Sequence, residues 1–316
     1  MSDNFVVGGG VAGLIFCYLN KNFLLIDSKP LGQLNSGYIL GPRYLQKDGE
    51  KKVEHFIINN KKELDLRSIK VAIDNIGFES NGEVNSNLDN EFISKYNNLS
   101  RSSNVDESSF MSGHKTCIDY FTFGLCNAGE SYLRLFRSIY RKLVKEDRII
   151  FGEVEKIDLE KKMLYCSSQD KYSSSYDKLI LTIHPKIMKK IVENSILDNF
   201  DFKVEEKNFY ITKYDNCNLE LSKNYGYIYS IEDEYTRKTF QDSYIVYETK
   251  DSIDSDFIDN NKIFKRFENL PIQISQSLNL NNLNENVFLL GRYAQWKHSI
   301  RFDTLFEEID RIQKEI

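Results

Sequence analysis

Nowhere in the chain do two cysteines stand in a CxxC spacing. The five present, Cys17, Cys117, Cys126, Cys166 and Cys217, are odd in number and widely scattered. Neither a zinc ribbon nor a redox dithiol is signalled. Unpaired, scattered thiols suit a reducing compartment, so a cytoplasmic location is expected. Histidine is as sparse: His55, His114, His184 and His298 are isolated from one another, and no metal site is expected. Lysine and arginine form nothing longer than pairs such as Lys51–Lys52 and Lys189–Lys190, and the net charge is -5. A nucleic-acid or anionic-membrane surface would need clustered basic residues, so neither partner is expected. Long apolar runs are lacking too. The candidate "FVVGGGVAGLIFCYL" falls short of the about 20 residues of a membrane span, and Asp3 stands ahead of it where a signal peptide wants basic residues.

What remains is an ordinary globular composition, 41% hydrophobic and 28% charged over 316 residues. That length suffices for one large domain or two interleaved ones. The informative stretch is "FVVGGGVAGL" at 5–14, an apolar run broken by three glycines. "NFVVG" is β-branched and suits a buried parallel strand. "VAGLIFCYLN" from Val11 to Asn20 has helical length, and "NFLLID" is a second short apolar run ending in an acid.

Gly8, Gly10 and Gly13 therefore fall at the strand-to-helix turn of a βαβ unit in the pattern GxGxxG. The first permits the tight turn, the second lets a pyrophosphate approach the backbone, and the third lets helix and strand pack closely. The helix N-terminus adds free N–H groups and a partial positive charge. Asp27 ends the second strand, where a carboxylate accepts ribose hydroxyls, and an acid there argues against NADP.

Downstream, "GESYLRLFRSIYRKLVKE" reads as a helix with Leu133, Phe136, Ile139, Tyr140 and Leu143 on its apolar face. Short strand-like pieces follow: "RIIFGEVEKIDL", "KKMLYCSS", "KYSSSY" and "DKLILTI". "NVFLLGRYAQWKHSIRFDTLFEEIDRIQKEI" reads as a strand, a loop and an amphipathic helix whose face is Phe302, Leu305, Phe306, Ile309 and Ile312. Residues 80–110 are about half Asn and Ser, which predicts a surface loop or a lid over the site.

In this order of elements the chain resembles the flavoprotein group of FAD-dependent amine oxidases and UDP-galactopyranose mutases. The resemblance rests on "FVVGGGVAGL" with Asp27, "EVEKIDL", "YDKLILTIHP", "FLLGRYAQW" and "IYSIEDEYTRKTF". It implies an α/β fold: a Rossmann-like FAD-binding domain with a parallel sheet and a β-meander, plus an interleaved α+β substrate domain. The FAD domain would comprise 1–45, 125–186 and 283–316, and the substrate or cap domain 46–124 and 187–282. Where members of that group carry paired glycines soon after the ribose acid, only Gly32 stands here.

By the same resemblance FAD is the cofactor. Gly8, Gly10, Val11, Ala12 and Gly13 would cradle its pyrophosphate, Asp27 and Ser28 would meet the adenosine ribose, and the main chain near Val154 would meet the adenine. Gly291 and Arg292 would lie against the pyrophosphate and ribityl chain. Arg43 and Tyr44 in "GPRYL", Trp296 and Lys297 in "RYAQWKHSIRF", and Arg237 in "DEYTRKTF" are the candidate catalytic residues toward a small-molecule substrate. All but Tyr44 have a plain structural alternative: an ion pair for Arg43, core packing for Trp296, solvation for Lys297, and a solvated strand face for Arg237, as for Tyr235. His184 reads as a satisfied structural histidine. The activities implied are hydride transfer from a C–N or C–H bond to the flavin, as in an amine oxidase, a redox-neutral rearrangement of the UDP-sugar mutase kind, with Arg43, Arg237 and Arg301 as candidates for the diphosphate, or a non-catalytic binding or escort role.

Overall fold

The computed structural model describes residues 3–29, 31, 50–60, 62–64, 69–71, 75–100, 120–122, 128–167, 172–193, 196–232, 234–240, 244–274, 280–296 and 302–316. Along the chain, β1 (Asp3–Val7), α1 (Val11–Leu19) and β2 (Phe23–Asp27) form the first unit. Next come α2 (Glu50–Asn60), β3 (Ile69–Val71), the hairpin β4 (Asn75–Ser80) and β5 (Glu83–Asn85), α3 (Asn90–Ser100) and β6 (Tyr120–Thr122). The long helix α4 (Ala128–Lys145) leads to β7 (Ile149–Phe151), β8 (Glu153–Asp158), β9 (Met163–Ser167), β10 (Tyr172–Leu181) and α5 (Pro185–Ile191). A second run holds β11 (Val204–Thr212), α6 (Asn216–Asn224), β12 (Tyr225–Ser230), β13 (Arg237–Phe240), β14 (Ile245–Thr249), α7 (Ser255–Asn260) and β15 (Lys265–Ile274). Then come β16 (Asn282–Asn284), β17 (Val287–Leu289) and α8 (Phe302–Glu315).

Two large sheets organise these elements. The first has the order β16-β17-β10-β1-β2-β7, with β8 and β9 joined to β10 as an antiparallel meander. From β17 to β7 every neighbour is parallel. Buried on both faces, these strands are short apolar runs, as parallel strands usually are. Alternation along them assigns the two faces. Val6, Leu25, Ile180 and Phe288 point into a helix layer made by α1, α2, α4 and α8. Phe5, Val7, Ile26, Leu179, Leu181, Val287 and Leu289 point the other way, toward the meander and α5. The result is a three-layer, Rossmann-like α/β unit. The apolar face of α4 buries Phe136, Ile139 and Leu143, and that of α8 buries Leu305, Phe306, Ile309 and Ile312.

The second sheet has the order β15-β11-β14-β13-β12-β4-β5. Its "IYSIEDEYTRKTF" stretch is an antiparallel pair, Tyr227 opposite Thr239 and Tyr229 opposite Arg237.

Two expectations need correction. "KYSSSY" and "DKLILTI" are one ten-residue strand, β10, rather than two pieces. Its first half pairs antiparallel with β9 and its second half parallel with β1 and β17. In its first half the consecutive Ser173, Ser174 and Ser175 lie between Tyr172 and Tyr176 and are exposed, half-buried and exposed in turn, which mimics a loop composition. Residues 80–100 are not a loop either: they contain β5 and α3. Phe92 and Tyr96, one helical turn apart, anchor α3 on Ile76, Phe78 and Tyr227, and Asp89 bonds the Phe92 N–H at 2.7 Å as an N-terminal cap. Residues 101–110 lie outside the described residues.

Candidate functional site

The C-terminal ends of β1, β2, β10 and β17 meet at one edge of the parallel sheet, the place where open α/β sheets bind ligands. Gly8 turns there with φ +108°, its N–H bonded to Ile26 O at 3.0 Å. A Cβ at Gly8 would meet Thr182 Oγ1 at 2.6 Å and Ile183 at 2.8 Å. At Gly13 it would lie 1.9 Å from Gly8 O, so α1 packs directly on the backbone of the turn that precedes it. Gly10 differs: among the described residues, no atom lies within 4 Å of its Cβ position. Gly291 turns with φ +96°, and its Cβ would sit 2.9 Å from that of Ala12. The turn after β17 therefore rests on the first turn of α1.

Charge at this edge is arranged around α1. Gly10 caps the helix without a side-chain hydrogen bond, and no acid stands in its first turn. Its N-terminal partial positive charge is therefore uncompensated by the helix's own residues, and Gly10, Val11 and Ala12 are half-exposed. Asp27 accepts the Gly9 N–H through Oδ2 and the Lys29 N–H through Oδ1 at 2.5 Å. Gly152 donates its N–H to Asp27 O at 3.3 Å, which brings the β7–β8 junction to the same place. Val154 follows in β8, buried, and Ser28 is exposed. The Thr182 hydroxyl lies 2.7 Å from Gly8 O and 3.0 Å from Val7 O, tying β10 to the turn. Sequence reasoning missed Thr182, whose only signal is a small polar residue directly after an apolar strand.

Of the other predicted residues, Arg43, Tyr44 and Lys297 lie outside the described residues, as do His298 and Arg301. Arg292 is half-exposed beside Gly291. Trp296 is 1% exposed and packs edge-on against His184 and Phe202, with ring centroids at 5.3 and 4.9 Å. His184 caps α5, its Nδ1 accepting the Lys186 N–H at 3.1 Å. Burial, with the nearby Lys186 charge, lowers its pKa below the ordinary histidine value.

Arg237 is not on a solvated face, and neither is Tyr235, which is buried and donates to Glu79. Arg237 forms an ion pair with Glu248 across β13–β14. Lys207 of β11 approaches the same carboxylate at 3.3 Å. Burial pushes the Glu248 carboxyl up, but Arg237 and Lys207 outweigh it and hold the pKa below the ordinary value. Two cations thus share one carboxylate, and the buried Arg237 Nε has no hydrogen-bond partner among the described residues. Tyr227 and Tyr229 lie on the same face of the sheet by register. Neither Lys207 nor Glu248 was legible in sequence, since alternating charges on a strand ordinarily mark its wet face. A separate cavity of about 490 Å³, lined by Glu232, Tyr235, Asp254 and Phe257 among others, shares no residue with the glycine edge.

No protein-family model and no curated protein matches the chain. Solved structures do. A reduced UDP-galactopyranose mutase superposes with a TM-score of 0.62 at 12% identity, covering 99% of this chain and 93% of its own. Putrescine oxidase bound to putrescine gives 0.62 at 8%, covering 99% and 98%. A fatty acid isomerase from P. acnes that produces CLA gives 0.65 at 10%, again covering 99% and 98%. The chain shares the fold of these three proteins. At such identities the likeness establishes the fold alone, and a mutase, an oxidase and an isomerase on one architecture show how little a fold fixes the reaction.

Proposed function

We propose that the protein is an FAD-dependent oxidoreductase acting on a small molecule. The observation that carries this reading is the glycine edge. Gly8, Gly13 and Gly291 leave no room for a side chain, while Gly10 meets no atom of the described residues within 4 Å of its Cβ position and stands at a helix N-terminus with no side-chain cap. A pyrophosphate fits that combination of room, backbone donors and partial positive charge. Gly8, Gly10, Val11, Ala12 and Gly13 would hold it, with Gly291 and Arg292 on its other side. Asp27, Ser28 and the chain near Val154 would take the adenosine. When bound, FAD supplies hydride-transfer chemistry. The protein's own part is to bind and orient the cofactor and to keep the site in a fixed shape.

The test is the visible absorption spectrum of the purified, undenatured protein. A bound-flavin spectrum is expected, either as isolated or after reconstitution with FAD. A colourless protein that takes up no FAD removes the reading.

A second reading is a redox-neutral isomerase of the kind represented by the mutase. It is favoured by the Lys207–Glu248–Arg237 group, where two cations face one carboxylate and a guanidinium N–H is left over. Such a surplus of buried positive charge suits a substrate carrying an oxyanion, with Tyr227 and Tyr229 alongside. Arg237→Met is then expected to weaken binding of a sugar nucleotide by about tenfold or more, the loss of a charge-assisted hydrogen bond. Calorimetric titration of wild type and variant with UDP-galactose checks this, and equal affinities discard the role. Turnover only after prior reduction of the flavin favours the isomerase. Bleaching of the flavin by an amine alone favours the oxidase.

A further inference from the structure

Gln295 is fully buried, yet none of its polar atoms lacks a partner. Its N–H donates to Gly291 O at 3.0 Å, and its carbonyl accepts the Leu280 N–H at 2.8 Å. The side-chain Oε1 accepts the Gly291 N–H at 3.1 Å. Nε2 donates to Glu308 Oε2 of α8 at 3.0 Å and reaches Asn281 Oδ1 at 3.4 Å. Both hydrogen-bonding groups of Gly291 are therefore held by one residue. That residue is in turn fastened to α8 and to the segment before β16.

The chemistry of the position is narrow. One end of the side chain must accept from a backbone N–H, and the other must donate to a carboxylate. Near neutral pH a primary amide does both without charge, and its orientation is dictated by those two partners. A glutamate would accept from Gly291 but face Glu308 with like charge. A leucine would leave the buried Gly291 N–H unpaired.

The consequence lies at Gly291. Its positive φ and its packing on Ala12, so close that an added Cβ would lie 2.9 Å from the Ala12 Cβ, fix where the turn after β17 meets the first turn of α1. We infer that Gln295 is a positioning residue, which presets the Gly291 turn so that FAD finds both sides of its cradle in place. This inference rests on the FAD reading above. No sequence spacing announces it, because its partners lie on three different segments.

Gln295→Glu isolates the effect. The substitution sets a second carboxyl against that of Glu308. When either of the two is protonated, its O–H donates to the other and the Gly291 bond survives. When both are ionised, they repel and the turn loosens. Among the described residues, the charged groups facing the position are Glu308 and Arg311, both from α8, with Glu315 behind Arg311. Asn281 is neutral, and the Gly291 turn contributes backbone only. Arg311 offsets part of the repulsion without supplying the missing donor.

The experiment is FAD titration of the full-length apo protein, wild type and variant, at about pH 8 and about pH 5, spanning the range over which a coupled carboxyl pair titrates. Hydrogen exchange at the Gly291 amide is followed in parallel. Wild-type affinity is expected to change little between the two conditions. Gln295→Glu is expected to bind FAD roughly tenfold or more weakly at high pH, the loss expected for one buried hydrogen bond, and to recover at low pH. Adding Glu308→Gln to the variant should remove the pH dependence, which a general loss of stability would leave in place. Equal affinity of Gln295→Glu and wild type at both conditions overturns the positioning role. So does unchanged Gly291 exchange. A wild type that binds no FAD, with Gly291 exchange still accelerated in the variant, overturns the cofactor reading and the purpose assigned to the brace, while the brace itself stands.

Discussion

Gly13→Ala is expected to abolish FAD uptake and to destabilise the protein by about 3 kcal/mol, the upper end of ordinary overpacking. The added methyl would stand 1.9 Å from Gly8 O, and the contact is with backbone, not with the end of a side chain that can swing aside. Relief requires α1 to retreat from β1. That motion also disturbs the bond from the Thr182 hydroxyl to Gly8 O and the contact between Ala12 and Gly291. Gly10→Ala is the matched control. Its φ is -74° and nothing among the described residues lies within 4 Å of the new methyl, so the fold should keep its stability. The methyl nevertheless occupies the space assigned to the pyrophosphate, and flavin content should fall. Thermal melts and flavin-to-protein absorbance ratios of both variants check this. Wild-type melting and flavin content in Gly13→Ala would show that the helix and turn do not pack as described.

Glu248→Gln is expected to cost about 3–5 kcal/mol, the range for breaking a buried ion pair from one side. The amide keeps the shape but removes the shared counter-charge of Lys207, buried at 4% side-chain exposure, and Arg237, half-buried at 20%. The pH dependence follows from the direction of the Glu248 shift. Its folded pKa lies below the ordinary value, so the carboxylate contributes its full stabilisation above the unfolded pKa of about 4.3. That contribution is lost as pH falls through the folded pKa. The stability gap between wild type and Glu248→Gln should therefore be constant near neutrality and narrow in acid. Urea unfolding at several pH values measures it. A gap that widens in acid contradicts the pairing.

The legible part of the protein is the part held by local rules. Glycine positions are dictated by turns and close approaches inside one short segment, so the β1–α1–β2 unit could be read from residues 5–27. The terminal helix declared itself by Leu305, Phe306, Ile309 and Ile312 at helical spacing. Composition misled where it stood in for packing: the Asn and Ser of residues 80–100 concealed Phe92 and Tyr96, whose burial makes α3 a helix. Charges on strands misled for a different reason. Lys207 and Glu248 look like solvent-facing residues until the pairing of β11 with β14 brings them together. Gln295 was invisible because a brace is defined by its partners, and three segments supply them.

The strand β10 has one more consequence. Its N-terminal residues belong to the antiparallel meander and its C-terminal residues to the middle of the parallel sheet, with no break between. The two assemblies therefore cannot melt as separate units, since losing either one frees one end of a strand that the other needs straight. Thr182, the next residue, touches the Gly8 turn. A ligand tightening that turn should slow amide exchange as far away as Leu164 and Cys166, in a strand it never contacts.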